Sequence, residues 1–103
     1  MTRTRIVAAI TALLMLVATP AWAAEYDGGY ENCPGGEEVI IRTRTTWYSR
    51  AWLWQGGVEK YYDYLQFTNG NWRTRHHYTD MNWGSWQAEG AQLSQFWTWS
   101  YCD

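Results

Sequence analysis

An all-β domain is expected from this 103-residue chain: a small antiparallel β-sandwich or barrel of about five strands, closed by one disulfide. Three features lead there. Long stretches alternate apolar or aromatic residues with polar ones, the period of a half-buried strand. A Gly-Gly and an Asn-Gly dipeptide interrupt those stretches where hairpins would turn. Two cysteines, Cys33 and Cys102, stand near the two ends of the alternating region.

The chain opens with a different kind of segment. Arg3 and Arg5 give a positive start, and Ile6 to Ala18 is apolar apart from Thr11. Pro20 ends that run, and Ala21-Trp22-Ala23 places small residues where a signal peptidase reads. This is the three-part layout of a secretory signal peptide over residues 1–23. Its core is shorter than the roughly 20 residues a membrane span needs. Cleavage is expected after Ala23, with no transmembrane segment left in the mature chain.

Residues 24–36 hold Gly28, Gly29, Gly35, Gly36 and Pro34, and read as a Gly-rich lead-in loop pinned at Cys33. The single β domain is expected over 37–103. From Val39 to Tyr48, Ile40, Arg42, Arg44, Thr46 and Tyr48 alternate with Val39, Ile41, Thr43, Thr45 and Trp47, a strong strand pattern. Gly56-Gly57 suits a two-residue hairpin between Ala51–Gln55 and Val58–Thr68. Asn69-Gly70 suits a second one, because a type I′ turn needs positive φ at both central residues. That second turn sets Gln66 opposite Arg73, Tyr64 opposite Arg75, Tyr62 opposite His77 and Asp63 opposite His76. The first hairpin sets Trp52 opposite Tyr61, on the core side with Leu65 and Phe67. A bulge or corner near Ser49 would then bring the preceding strand into phase and pass the chain between sheets. Asn82 to Gly90 reads as a loop carrying Trp83 and Trp86. Alternation resumes from Ala91 to Cys102.

Cysteine usage fits export. Two cysteines near the ends of an exported domain read as a Cys33–Cys102 disulfide. Without a third or fourth ligand nearby they do not make a zinc site. No metal site and no cofactor is expected.

Composition then narrows the function. After the leader, Ile, Leu, Val and Met number only eight, against 18 aromatics. The core must therefore be built largely from rings, each burying roughly 150–250 Å². Loss of Arg3 and Arg5 leaves six basic residues against ten acidic, a formal charge of −4. Such a field argues against nucleic acid as a partner.

Catalytic patterns are thin. Adjacent His76 and His77 on a strand point to opposite faces and cannot share a metal. His76 beside Asp63 would make a His–carboxylate pair, but no serine sits in a nucleophile-type turn. Glu37-Glu38 offers half of a carboxylate pair of the kind that hydrolyses glycosides, with nothing to place the other half. The outward face of the second hairpin is more informative: Tyr62, Tyr64, Arg73, Arg75 and His77 would lie together, with Trp83 and Trp86 nearby. Flat rings beside hydrogen-bond donors suit stacking on sugars. The expectation is a secreted, non-catalytic binding module. Its partner would be a polysaccharide or cell-envelope glycan, or else a secreted or cell-surface protein. The alternative is a small secreted antagonist, an enzyme inhibitor or bacteriocin-like protein.

Overall fold

The computed structural model describes residues 4–7, 24–67 and 69–103. Among them the chain is all-β. The strands are β1 (Thr4–Val7), β2 (Ala24–Asn32), β3 (Val39–Thr45), β4 (Tyr48–Gln55), β5 (Val58–Gln66), β6 (Arg73–Tyr78), β7 (Trp83–Ala91) and β8 (Trp99–Cys102). A first sheet has the order β1-β2-β7-β4-β5, and a second the order β6-β3-β8. Every pairing is antiparallel. β3 packs over β7 and β4, and β8 over β2, so the two sheets are layered. Residues 24–103 hold seven strands rather than about five.

Thr4–Val7, inside the predicted leader, pairs along the edge of β2, with Thr4 opposite Gly28 and Val7 opposite Glu25. The rest of the leader, with the expected cleavage point, lies outside the described residues.

The alternation of β3 holds from Ile41 to Thr45, while Ile40, on the Arg42 side, is also fully buried. Val39, Ile41, Thr43 and Thr45 are fully buried between the sheets, while Arg42 and Arg44 face out. The chain passes from the second sheet to the first at Thr46–Trp47, two residues before Ser49. Gly56 and Gly57 both have positive φ, 57° and 82°, and close the predicted hairpin with Gln55 opposite Val58. The ladder then slips one residue between Leu53 and Trp54, because Lys60 is an extra residue on β5. A slip of one residue reverses the face of every position beyond it. Trp52 therefore stands opposite Tyr62, not Tyr61, and faces outward.

The Asn69-Gly70 hairpin does not form. β5 is an edge strand bonded to β4, and β6 pairs with β3 in the other sheet, Arg42 opposite His76 and Ile41 opposite His77. Gly70 does take positive φ, at 72°. Asn69 Oδ1 accepts the Asn71 N–H at 3.2 Å. A Cβ on Gly70 would stand 3.3 Å from the Trp47 ring. The dipeptide supplies a tight turn, as its chemistry demands, but the turn crosses between layers.

Two segments expected as loops are strands. Ala24–Asn32 is β2, and Trp83–Ala91 is β7, the centre of the first sheet. Their small residues reflect close approach. A Cβ on Gly90 would meet the Thr45 hydroxyl at 2.8 Å, and one on Gly84 would meet the Trp54 carbonyl oxygen at 2.6 Å.

The core gathers Val39, Ile41, Ala51, Leu53, Trp86, Ala88 and Cys33, with Tyr61 and Met81 packed against it. Cys33 and Cys102 form the expected disulfide, with 5.5 Å between their Cα atoms. No helix among the described residues is long and apolar enough to cross a membrane.

Candidate functional site

β4 places Ser49, Ala51 and Leu53 in the core. Its other positions, Tyr48, Arg50, Trp52 and Trp54, therefore face outward. β5 contributes Tyr62 and Tyr64 to the same face, opposite Trp52 and Arg50, and each is nearly half exposed. The rings lie close together. Trp52 and Trp54 are 6.4 Å apart with planes 13° from parallel, and Trp52 and Tyr62 are 5.5 Å apart. Tyr48 and Tyr64 are 5.9 Å apart.

Arg50 stands at the centre of this face. Its guanidinium lies 4.9 Å from the Trp52 ring, 5.4 Å from Tyr62 and 6.0 Å from Tyr64. Its Nε donates to the Tyr62 hydroxyl at 3.0 Å, and its NH1 pairs with Glu89 at 3.2 Å. The Tyr48 hydroxyl donates to the other Glu89 oxygen at 2.7 Å. Glu89 sits opposite Arg50 on one side and Tyr26 on the other. Burial of Arg50 opposes its charge, but the Tyr62 hydroxyl and the Glu89 carboxylate outweigh this and hold its pKa above the ordinary value. Burial pushes the Tyr48 hydroxyl well up, and its bond to Glu89 pushes it further. Tyr26 shifts the same way, first from burial and then from the Glu89 charge. Both hydroxyls remain protonated donors at neutral pH. The arrangement is a set of flat rings fixed from beneath by a charged network.

The chain matches no protein-family model, no curated protein and no solved structure.

The expected site divides. Tyr62 and Tyr64 come together on this face. Arg73 and Arg75 do not join them: they stand on β6 in the other sheet, with guanidiniums 5.9 Å and 4.6 Å from the Phe67 ring. His77 is fully buried between the sheets. Trp86 is a core residue at 3% exposure, whereas Trp83 is 37% exposed. Trp83 lines an open cleft of about 490 Å³ with Glu37, Glu38 and Asp80. In that cleft Glu38 accepts the backbone N–H of Asp80 at 3.0 Å.

Asp63 pairs with His77, not with His76. Nδ1 of His77 is 2.8 Å from Asp63, and Nε2 is 2.6 Å from the Ser49 hydroxyl. The order is that of a nucleophile–base–acid relay. Ser49 and His77 are both fully enclosed, however, and the Thr43 hydroxyl lies 2.6 Å from Ser49 on its far side. A substrate has no approach to the Ser49 oxygen. The chain Thr43–Ser49–His77–Asp63 instead joins the second sheet to the first, its members alternating between them. No group of three or more His, Cys, Asp or Glu able to hold a metal occurs among the described residues.

Sequence reasoning missed Arg50, Trp52 and Trp54. Their alternate spacing on one strand was the available signal. The one-residue slip at Lys60 concealed which face it marked.

Proposed function

We propose that this chain is a secreted, non-catalytic module that binds polysaccharide or cell-envelope glycan on the outer face of its first sheet. The observation that carries this reading is the cluster of Trp52, Trp54, Tyr62 and Tyr64 around Arg50 on one face. Sugar rings present flat patches of C–H bonds rimmed by hydroxyls. A ring platform takes the patches, and tyrosine hydroxyls and guanidinium N–H groups take the rim. Fixing the platform in advance reduces the ordering cost of binding. The signal-like leader and the Cys33–Cys102 disulfide fit an exported protein.

The test is titration of the oxidised domain with a glycan array and with cell-wall preparations, following tryptophan fluorescence. Saturable binding is expected, weakened tenfold or more by Tyr62→Ala with Tyr64→Ala, equivalent to about 1.4 kcal/mol. Absence of glycan binding, or equal binding by the double variant, overturns the reading and leaves the antagonist role as the one to pursue.

A further inference from the structure

The outer face of the second sheet carries a ladder of its own. Arg42 and Arg44 project from β3 between tryptophans. The Arg42 guanidinium is 4.5 Å from the Trp99 ring and 4.9 Å from Trp97. That of Arg44 is 5.5 Å from Trp97 and 5.4 Å from Trp72. The order along the face is thus Trp99, Arg42, Trp97, Arg44, Trp72. Beside Arg42 on β6 lies His76, whose ring is 6.3 Å from both Tyr78 and Tyr101.

Two facts point to a ligand. First, rings flank both arginines: among the described residues no carboxylate pairs with either, and the Nε of Arg42 is buried without a hydrogen-bond partner. The outward positions of β3, β6 and β8 hold no Asp or Glu. This cationic strip lies on a chain whose formal net charge is −2. Second, stacking occupies the faces of a guanidinium rather than its edges, and with the Nε of Arg42 buried, the edge formed by its two terminal nitrogens is the one open to a ligand. Such an edge matches a carboxylate or sulfate two bonds at a time. Exposed Trp72, Tyr78 and Phe96, the last 79% exposed, stand along the same face and offer ring surface beside the charges.

We propose that this face binds an acidic polysaccharide, its anionic groups engaged by Arg42 and Arg44 and its sugar rings stacked on the neighbouring aromatics. Charges beyond about 8–10 Å are largely screened at physiological salt, so the local strip outweighs the acidic remainder. The same balance disfavours nucleic acid. Two arginines and a histidine neutralise few phosphates, and binding to that backbone depends on the number neutralised. The surface lies on the opposite sheet from the Tyr62–Tyr64 platform and shares no residue with it.

The probe is polygalacturonate, titrated into the oxidised domain beside an uncharged dextran and a single-stranded oligothymidine, at low and high salt. Saturable, salt-sensitive binding to polygalacturonate is expected. Its salt-sensitive part should fall at least tenfold in Arg42→Gln with Arg44→Gln and persist in Tyr62→Ala with Tyr64→Ala, the variant that removes the uncharged-glycan platform. That contrast separates failure here from failure of the first site. Arg42→Lys with Arg44→Lys keeps the charges and loses the planar fork. With circular dichroism unaltered it should bind several-fold more weakly, which covers the case in which the glutamine variant does not fold. Equal affinity for dextran in the Tyr62→Ala with Tyr64→Ala variant, tighter binding of oligothymidine, or undiminished binding by a folded arginine double variant overturns the proposal.

Discussion

His77 has no exposed surface, and both its ring nitrogens are engaged, Nε2 at Ser49 and Nδ1 at Asp63. The neutral ring satisfies both: Nδ1–H donates to the carboxylate while Nε2 accepts the serine hydroxyl. A proton on Nε2 would remove that acceptor. Burial lowers the His77 pKa most; the bond to Asp63 opposes this in part, and the charges of His76 and Arg75 lower it further. In the unfolded chain the group titrates near the ordinary value of about 6.5. Between the lowered folded value and about 6.5 the unfolded chain binds more protons, so stability rises with pH across that interval. The contribution is complete above about 6.5 and is lost as pH falls through the folded value. Urea midpoints should therefore decline from pH 7.5 to pH 5. His77→Gln should flatten that decline and cost about 1–3 kcal/mol at pH 7.5, because Ser49 and Asp63 lose a buried partner. A wild-type midpoint constant over this range would refute the account. Strand alternation identifies Asp63 as an inward residue with a histidine for a partner. Choosing between two adjacent histidines requires the strand pairing, which the alternation of one segment does not contain.

β7 shows why some elements were legible and others were not. Gly56-Gly57 could be read because a two-residue loop joins strands already adjacent in sequence. β7 bonds to β2 and β4, both far from it along the chain. Its Gly84, Ala88, Gly90 and Ala91 answer to those distant neighbours, and the resulting run of small residues imitates a loop. β2, with Gly28 and Gly29, misleads in the same way. Gly28 lies so close to β7 that a Cβ there would stand 2.9 Å from the Trp86 carbonyl oxygen. The candidate face was half visible for a related reason. Tyr62 and Tyr64 share a face by simple alternation, but Arg73, Arg75 and His77 were brought to it by an Asn-Gly turn that in fact leads into the other sheet. The tight fit of β7 is measurable. A Cβ on Gly84 would be 2.6 Å from both Leu53 Cδ2 and the Trp54 carbonyl oxygen, and the second cannot move without breaking the ladder. Gly84→Ala should cost about 1–3 kcal/mol, the range for overpacking a filled site. Gly35→Ala, with open space around its Cβ, should change the urea midpoint very little. Equal effects from the two substitutions would show that β7 is not clasped as described.

At the scale of the whole molecule, the two layers hold each other with limited means. The space between them is apolar near Val39, Ile41, Leu53 and Trp86, but polar near Thr43, Thr45, Ser49 and His77. Much of the aromatic content lies on the two outer faces, where it forms the Tyr62–Tyr64 platform and the Arg42–Arg44 ladder rather than the core. A domain of such length is marginal on burial alone, and here burial is further reduced by rings placed outside. The Cys33–Cys102 bridge acts on this weakness. It joins residues 69 apart in sequence and ties the end of β2 in the first sheet to β8 in the second. On the chain-entropy model, closing a loop of this size stabilises the fold by about 4 kcal/mol. For a domain of this length that corresponds to roughly 15–30 °C in Tm. Cys33→Ser with Cys102→Ser, or reduction by dithiothreitol under native conditions, should therefore lower Tm by that much or abolish the cooperative transition. The loss should exceed that from His77→Gln, because the bridge constrains the entire unfolded chain whereas the histidine satisfies one buried network. A shift of only a few degrees would mean that the layers hold by packing alone.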